Sequence, residues 1–83
     1  IGVCAFEYCS KLARLKFDDQ LVIIKGGAFR GCSKLTEVYL PKHVKYIGKH
    51  AFKDCSRLKI ARVPIGCDIK EDAFPKKCQI IKY

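Results

Sequence analysis

The chain has 83 residues, room for one domain and a small size for a self-sufficient core. Its 49% hydrophobic content argues against disorder, and no apolar run approaches the ~18 residues of a membrane-spanning helix. Seventeen Lys and Arg against eight Asp and Glu give a charge of +9, which favours acidic partners: nucleic acid, anionic glycan, acidic protein or an anionic membrane surface. Surface lysines also keep a folded chain soluble, so the charge alone names no site. The opening IGVCAFEYCS has neither the charged start nor the long apolar stretch of a signal peptide. With no initiator Met, the chain reads as a piece of a longer protein.

One phrase recurs along it. Ile1, Ala5 and Phe6 return as Ile24, Ala28 and Phe29, as Ile47, Ala51 and Phe52, and one residue early as Ile69, Ala73 and Phe74. Cys9, Cys32 and Cys55 follow in phase, each with a Ser after it and a Leu beyond. The steps of 23, 23 and 22 residues are the mark of a repeat solenoid. The period predicts repeats at about 1–23, 24–46 and 47–68, with 69–83 as a C-terminal cap.

In chain order, a strand is predicted at each Leu-x-x-apolar-x-apolar stretch: Leu12, Leu15 and Phe17, then Leu35, Val38 and Leu40, then Leu58, Ala61 and Val63. Pro41 and Pro64 end the second and third, because proline brings no N–H to a ladder; Asp18 takes that place in the first. The chain then returns along the opposite side through Leu21 and Ile24, and again through Val44 and Ile47. Ala51 and Phe52 fall on KHAFKDCS, which reads as a single helical or 3₁₀ turn. The hydroxyls of Ser10, Ser33 and Ser56 are expected to bond local backbone groups. The fourth copy departs from the pattern. Its preceding loop is one residue short, Cys67 takes the place of Val44, and no clear strand motif follows Cys78. The core is closed there by Ile80 or Ile81, with the register open. At the other end, Ile1 and Val3 would leave a layer uncovered.

Six cysteines raise the question of a disulfide framework or a metal site. No C-x-x-C pair is present, and His43 and His50 are not at finger spacing, so no metal or cofactor is expected. The period gives Cys9, Cys32 and Cys55 one repeated core position, where free cysteine acts as a small hydrophobe. Side chains in such a column point the same way, which disfavours bridges between neighbours. Cys4, whose counterparts are Gly27 and His50, is the candidate for an exposed reactive thiol.

Ile24, Ala28, Phe29, Cys32, Leu35, Val38, Leu40, Pro41 and Val44 together resemble the leucine-rich repeat of the BspA-like, or Treponema-type, class. The resemblance implies an α/β right-handed solenoid, with a short parallel sheet on the concave side and short helical or 3₁₀ turns opposite. It implies binding rather than catalysis, and a surface or secreted protein with an adhesive role. Related arrays also act inside cells, so a cytoplasmic scaffold is the alternative.

In such repeats the concave sheet face is the usual contact surface. Here its outward positions are Arg14, Lys16, Glu37, Tyr39, Ile60 and Arg62, expected to meet a protein partner. A second feature is the column Lys11, Lys34 and Arg57, a basic ridge suited to an anionic glycan or nucleic acid. No phosphate loop is present. Asp18-Asp19 and Glu71-Asp72 are loop carboxylates in different repeats, so no catalytic set is proposed.

Overall fold

A computed structural model describes Gly2 and residues 5–83. The expectations for Ile1, Val3 and Cys4 fall outside the described residues. Strands form in pairs along the repeat: β1 (Ile23–Ile24), β2 (Glu37–Tyr39), β3 (Tyr46–Ile47), β4 (Ile60–Val63), β5 (Asp68–Ile69) and β6 (Gln79–Lys82). Odd strands build one parallel sheet in the order β1-β3-β5, and even strands a second in the order β2-β4-β6. The chain thus crosses from one sheet to the other and back with each repeat, and each strand pairs with the strand of the next repeat, 23 and then 22 residues on in the first sheet and 23 and then 19 in the second.

The second sheet was expected from the strand motifs; the first was not. Its strands have only two residues each, one inward and one outward. Ile24, Ile47 and Ile69 form its inward column, with Ile24 paired to Ile47 and Ile47 to Ile69.

The helical turns expected around Ala28-Phe29 and Ala51-Phe52 are absent among the described residues, so the α/β expectation is corrected to an all-strand architecture with hydrogen-bonded turns. The backbone shows why. Gly27 and Gly31 in one repeat, and His50 and Asp54 in the next, all have φ between 61° and 74°. Two left-handed residues four apart interrupt any right-handed helix. Between them, Ala28 and Arg30 close turns onto the carbonyls of Lys25 and Gly27. The N–H groups of Gly27, Phe29 and Gly31 instead donate to the carbonyls of Lys49, Ala51 and Lys53, at 3.0, 2.8 and 2.7 Å. These turns therefore satisfy half of their donors across repeats rather than along a helix.

Three further expectations are corrected. The stretch Leu12–Phe17 forms no strand, although Leu12, Leu15 and Phe17 pack against the core. Where the other repeats have proline, Asp18 ties the chain into a local turn. Its carboxylate accepts from the N–H of Gln20 at 2.7 Å and its carbonyl from that of Leu21 at 2.9 Å. Ala13, Arg14 and Lys16 add little strand propensity of their own. The hydroxyls of Ser10, Ser33 and Ser56 make no hydrogen bond among the described residues. At the far end a full strand does follow Cys78. It pairs Ala61 with Ile80 and Arg62 with Ile81, so neither isoleucine stands opposite Leu58. By register Ile80 follows Val38 and Ala61 and Ile81 stands beside Arg62, but Ile80 is exposed, Ile81 is half-buried and neither packs against the core, so the expected closure of the core by one of them is corrected.

The core lies between the sheets and is built of the repeated columns. Ile24, Ala28, Phe29, Cys32, Leu35, Val38, Leu40 and Val44 are all buried, as are their third-repeat counterparts Ile47, Ala51, Phe52, Cys55, Leu58, Ala61, Val63 and Cys67. Phe6, Phe29, Phe52 and Phe74 form a continuous ring stack with centroids 5.2, 5.2 and 5.1 Å apart and planes within 10° of parallel. Among the described residues no polar or charged side chain is buried.

Candidate functional site

The outer face of the β2-β4-β6 sheet carries the side chains that the pleat turns away from the core. Val38, Ala61 and Val63 point inward and are buried, which leaves Glu37, Tyr39, Ile60 and Arg62 outward. Glu37 pairs in register with Ile60 and Tyr39 with Arg62. The Arg62 guanidinium lies 3.5 Å from the Glu37 carboxylate, a diagonal ion pair across the strands.

Arg14 and Lys16 are exposed, but on the irregular segment beside β2 rather than on a strand. They nevertheless reach the same region. One hollow is lined by Arg14, Leu15, Thr36, Glu37 and Tyr39. A second is lined by Lys16, Phe17, Tyr39, Lys42 and Tyr83. Tyr39 stands between the two, 59% exposed. The structure therefore gathers Arg14, Lys16, Glu37 and Tyr39 around one cleft, while Ile60 and Arg62 extend the face on the neighbouring strand.

Sequence reasoning missed Tyr83. Its ring lies 5.3 Å from that of Tyr39, and its hydroxyl donates to the Leu40 carbonyl. Its own N–H donates to Val63 O at 3.0 Å and its carbonyl accepts from Ile65 N–H at 2.7 Å. Burial raises the phenol's pKa above the ordinary value, with Tyr39 adding to the effect. The sequence carried no signal for it, because the step concerned is visible only in the strand pairing. β6 follows β4 by 19 residues rather than a full period, and this shortened step brings the terminal tyrosine back to the sheet face.

Lys11, Lys34 and Arg57 are each exposed in the turn after the cysteine, and none forms an ion pair among the described residues. The acidic residues that do pair are Asp54 with Arg30, Glu71 with Lys49, Asp72 with His50, Glu37 with Arg62 and Asp68 with Lys70.

The described cysteines, Cys9, Cys32, Cys55, Cys67 and Cys78, are free thiols. The thiols of Cys32 and Cys55 donate to the carbonyls of Phe6 and Phe29, both at 3.2 Å. Burial pushes the Cys55 thiol up to about 12 and raises that of Cys32. Thiols held protonated in this way are poor nucleophiles and poor metal ligands at neutral pH. No group of three His, Cys, Asp or Glu able to hold a metal ion occurs among the described residues. No helix among them is long and apolar enough to cross a membrane.

A family model described as a BspA type leucine rich repeat region (6 copies) matches residues 1–83. The chain belongs to this family, generally a non-enzymatic binding repeat that typically meets protein partners. No curated protein and no solved structure matches the chain significantly.

Proposed function

From membership in that family, we propose that this chain is a segment of a solenoid array that binds a protein partner on the outer face of its β2-β4-β6 sheet. The observation that carries the reading is Tyr39, an exposed ring braced by Tyr83 and flanked by Arg14 and the Glu37–Arg62 pair. Tyrosine and arginine are the residue types that most often anchor interfaces, and a ring already held in place loses little freedom on binding. The resemblance favours an adhesive role at a cell surface or in secretion, with a cytoplasmic scaffold as the alternative.

The test immobilises the chain and its triple variant Arg14→Ala, Tyr39→Ala, Arg62→Ala and compares captured proteins by quantitative mass spectrometry. Partners should be lost from the variant while its circular dichroism is unchanged. Equal recovery on both would remove this face from consideration.

A second reading rests on Lys11, Lys34 and Arg57, exposed at one repeated position and outside any ion pair among the described residues. Parallel neighbours stand about 4.8 Å apart, so such a column presents closely spaced cations to a polyanion. Retention on heparin should then require higher salt than for the variant with all three changed to glutamine. Identical elution speaks against the ridge.

A further inference from the structure

β2 is the edge strand of its sheet, with its only ladder among the described residues made to β4. The Leu40 N–H is spent on the Arg62 carbonyl at 2.9 Å. Peptide groups alternate in direction along a strand, so those of Glu37 and Tyr39 point the other way. Among the described residues they meet no neighbouring strand there: residues 13–17 form none and share no backbone hydrogen bond with β2. The two hollows described above lie in this gap, with volumes of about 430 and 500 Å³. They form a cleft between an open strand edge and an irregular wall.

The charge of the cleft is one-sided. Arg14, Lys16 and Lys42 line it and take part in no ion pair among the described residues. Glu37 is already occupied by Arg62, which leaves Asp19 as the opposing carboxylate. An open strand edge accepts an extended chain through backbone hydrogen bonds, and flanking side chains then select its sequence.

We propose that this cleft takes an extended acidic peptide of a partner protein, which adds to the free edge of β2 and sets its carboxylates against Arg14, Lys16 and Lys42. Tyr39, braced by Tyr83, offers the apolar contact between the charges. The proposal rests on the reading of this sheet as the partner face, and narrows it to one edge and one peptide chemistry.

The probes are two fluorescein-labelled nine-residue peptides, one alternating Glu and Val and the other Gln and Val, titrated by anisotropy against the full chain at about 0.15 M salt. Three exposed ion pairs predict a preference of about tenfold for the Glu peptide. Changing Arg14, Lys16 and Lys42 to Glu should abolish the preference. The same charge change at Lys11, Lys34 and Arg57 should leave it, which separates the cleft from the general field of the protein. Bound peptide should also slow amide exchange at Glu37 and Tyr39. Equal affinity for the two peptides, both lost in Tyr39→Ala, would overturn the acidic preference and leave the partner face standing. Unchanged exchange at Glu37 and Tyr39 would overturn strand addition. No binding by either peptide at millimolar concentration would overturn the proposal, while the capture experiment decides the broader reading separately.

Discussion

Replacing Phe52 by alanine tests whether the ring stack holds the repeats together. Phe52 is fully buried and lies between Phe29 and Phe74, at 5.2 and 5.1 Å. Truncating a buried phenylalanine costs about 3–5 kcal/mol, and two facing rings place this site at the upper end. The whole chain is stable by about 4–12 kcal/mol if it follows the usual 0.05–0.15 kcal/mol per residue. The variant should therefore lose a large share of its stability, a drop of about 3 M or more in the urea midpoint at roughly 1.5 kcal/mol per M. Phe6→Ala is the internal control, because Phe6 is 43% exposed and, among the described residues, stacks on one ring only. It should cost about 1–2 kcal/mol. A double-mutant cycle between Phe29 and Phe52 should return about 0.5–1.5 kcal/mol of coupling. Equal losses at Phe6 and Phe52 would refute the idea that the stack couples adjacent repeats.

Gly48 and Gly66 should respond to alanine for different reasons. A Cβ on Gly48 would lie 2.4 Å from the Gly26 nitrogen, backbone that cannot rotate away, so Gly48→Ala should cost about 2–3 kcal/mol in urea melts. Gly66 has φ of 87° and nothing near its Cβ, so its cost should be about 1–2 kcal/mol of backbone strain; a reversed order would contradict the close approach at Gly48. Stability should also fall in alkali through Cys55. Its folded pKa of about 12 lies above the ordinary thiol range because burial disfavours the thiolate, so the folded state holds the proton more tightly. The contribution is complete below about pH 9 and lost as pH rises toward 12, about 4 kcal/mol in full. Urea midpoints between pH 8 and 11 should fall less steeply in Cys55→Ala than in the parent, with the lysines common to both; parallel slopes would exclude the thiol as the cause.

The sequence carried the core because a buried column must repeat its residue type, and Ile, Ala, Phe and Cys do so in phase. It carried the strands at Glu37–Tyr39 and Ile60–Val63 because alternation there is long enough to read. The odd-numbered strands were hidden by their length: two residues make no period. The absent helices were hidden by substitution. Gly27 and Gly31 advertise left-handed positions in one repeat, yet His50 and Asp54 occupy the same conformation in the next without any glycine to mark it. The segment 12–17 misled in the opposite sense. Its apolar spacing matches the other strands, and its leucines do reach the core, but the turn at Asp18 replaces the proline that ends the strand elsewhere. Of the site, the pleat made Glu37, Tyr39, Ile60 and Arg62 legible, whereas Tyr83 depended on a shortened step that only the pairing reveals.

Such misreadings have a physical pattern. Where successive repeats agree, backbone bonds between copies and columns of identical side chains fix the structure, and little is free to vary. Distinct chemistry must then come from positions where the copies differ. On the β2-β4-β6 face, the position held by Lys16 becomes Tyr39, then Arg62, then Ile81. The position of Arg14 becomes Glu37, then Ile60, then Gln79. At the edge of that face, the first repeat keeps its leucines in the core but withholds its peptide groups from the ladder. A strand edge left open in this way invites uncontrolled pairing unless it is guarded, and lysine and arginine are common guards. Arg14 and Lys16 fit that protective role as well as the recognition of an acidic strand. The two roles part on one measurement: a guard repels no neutral peptide in particular, while a recognition site must prefer the glutamate probe and lose that preference when Arg14, Lys16 and Lys42 change sign.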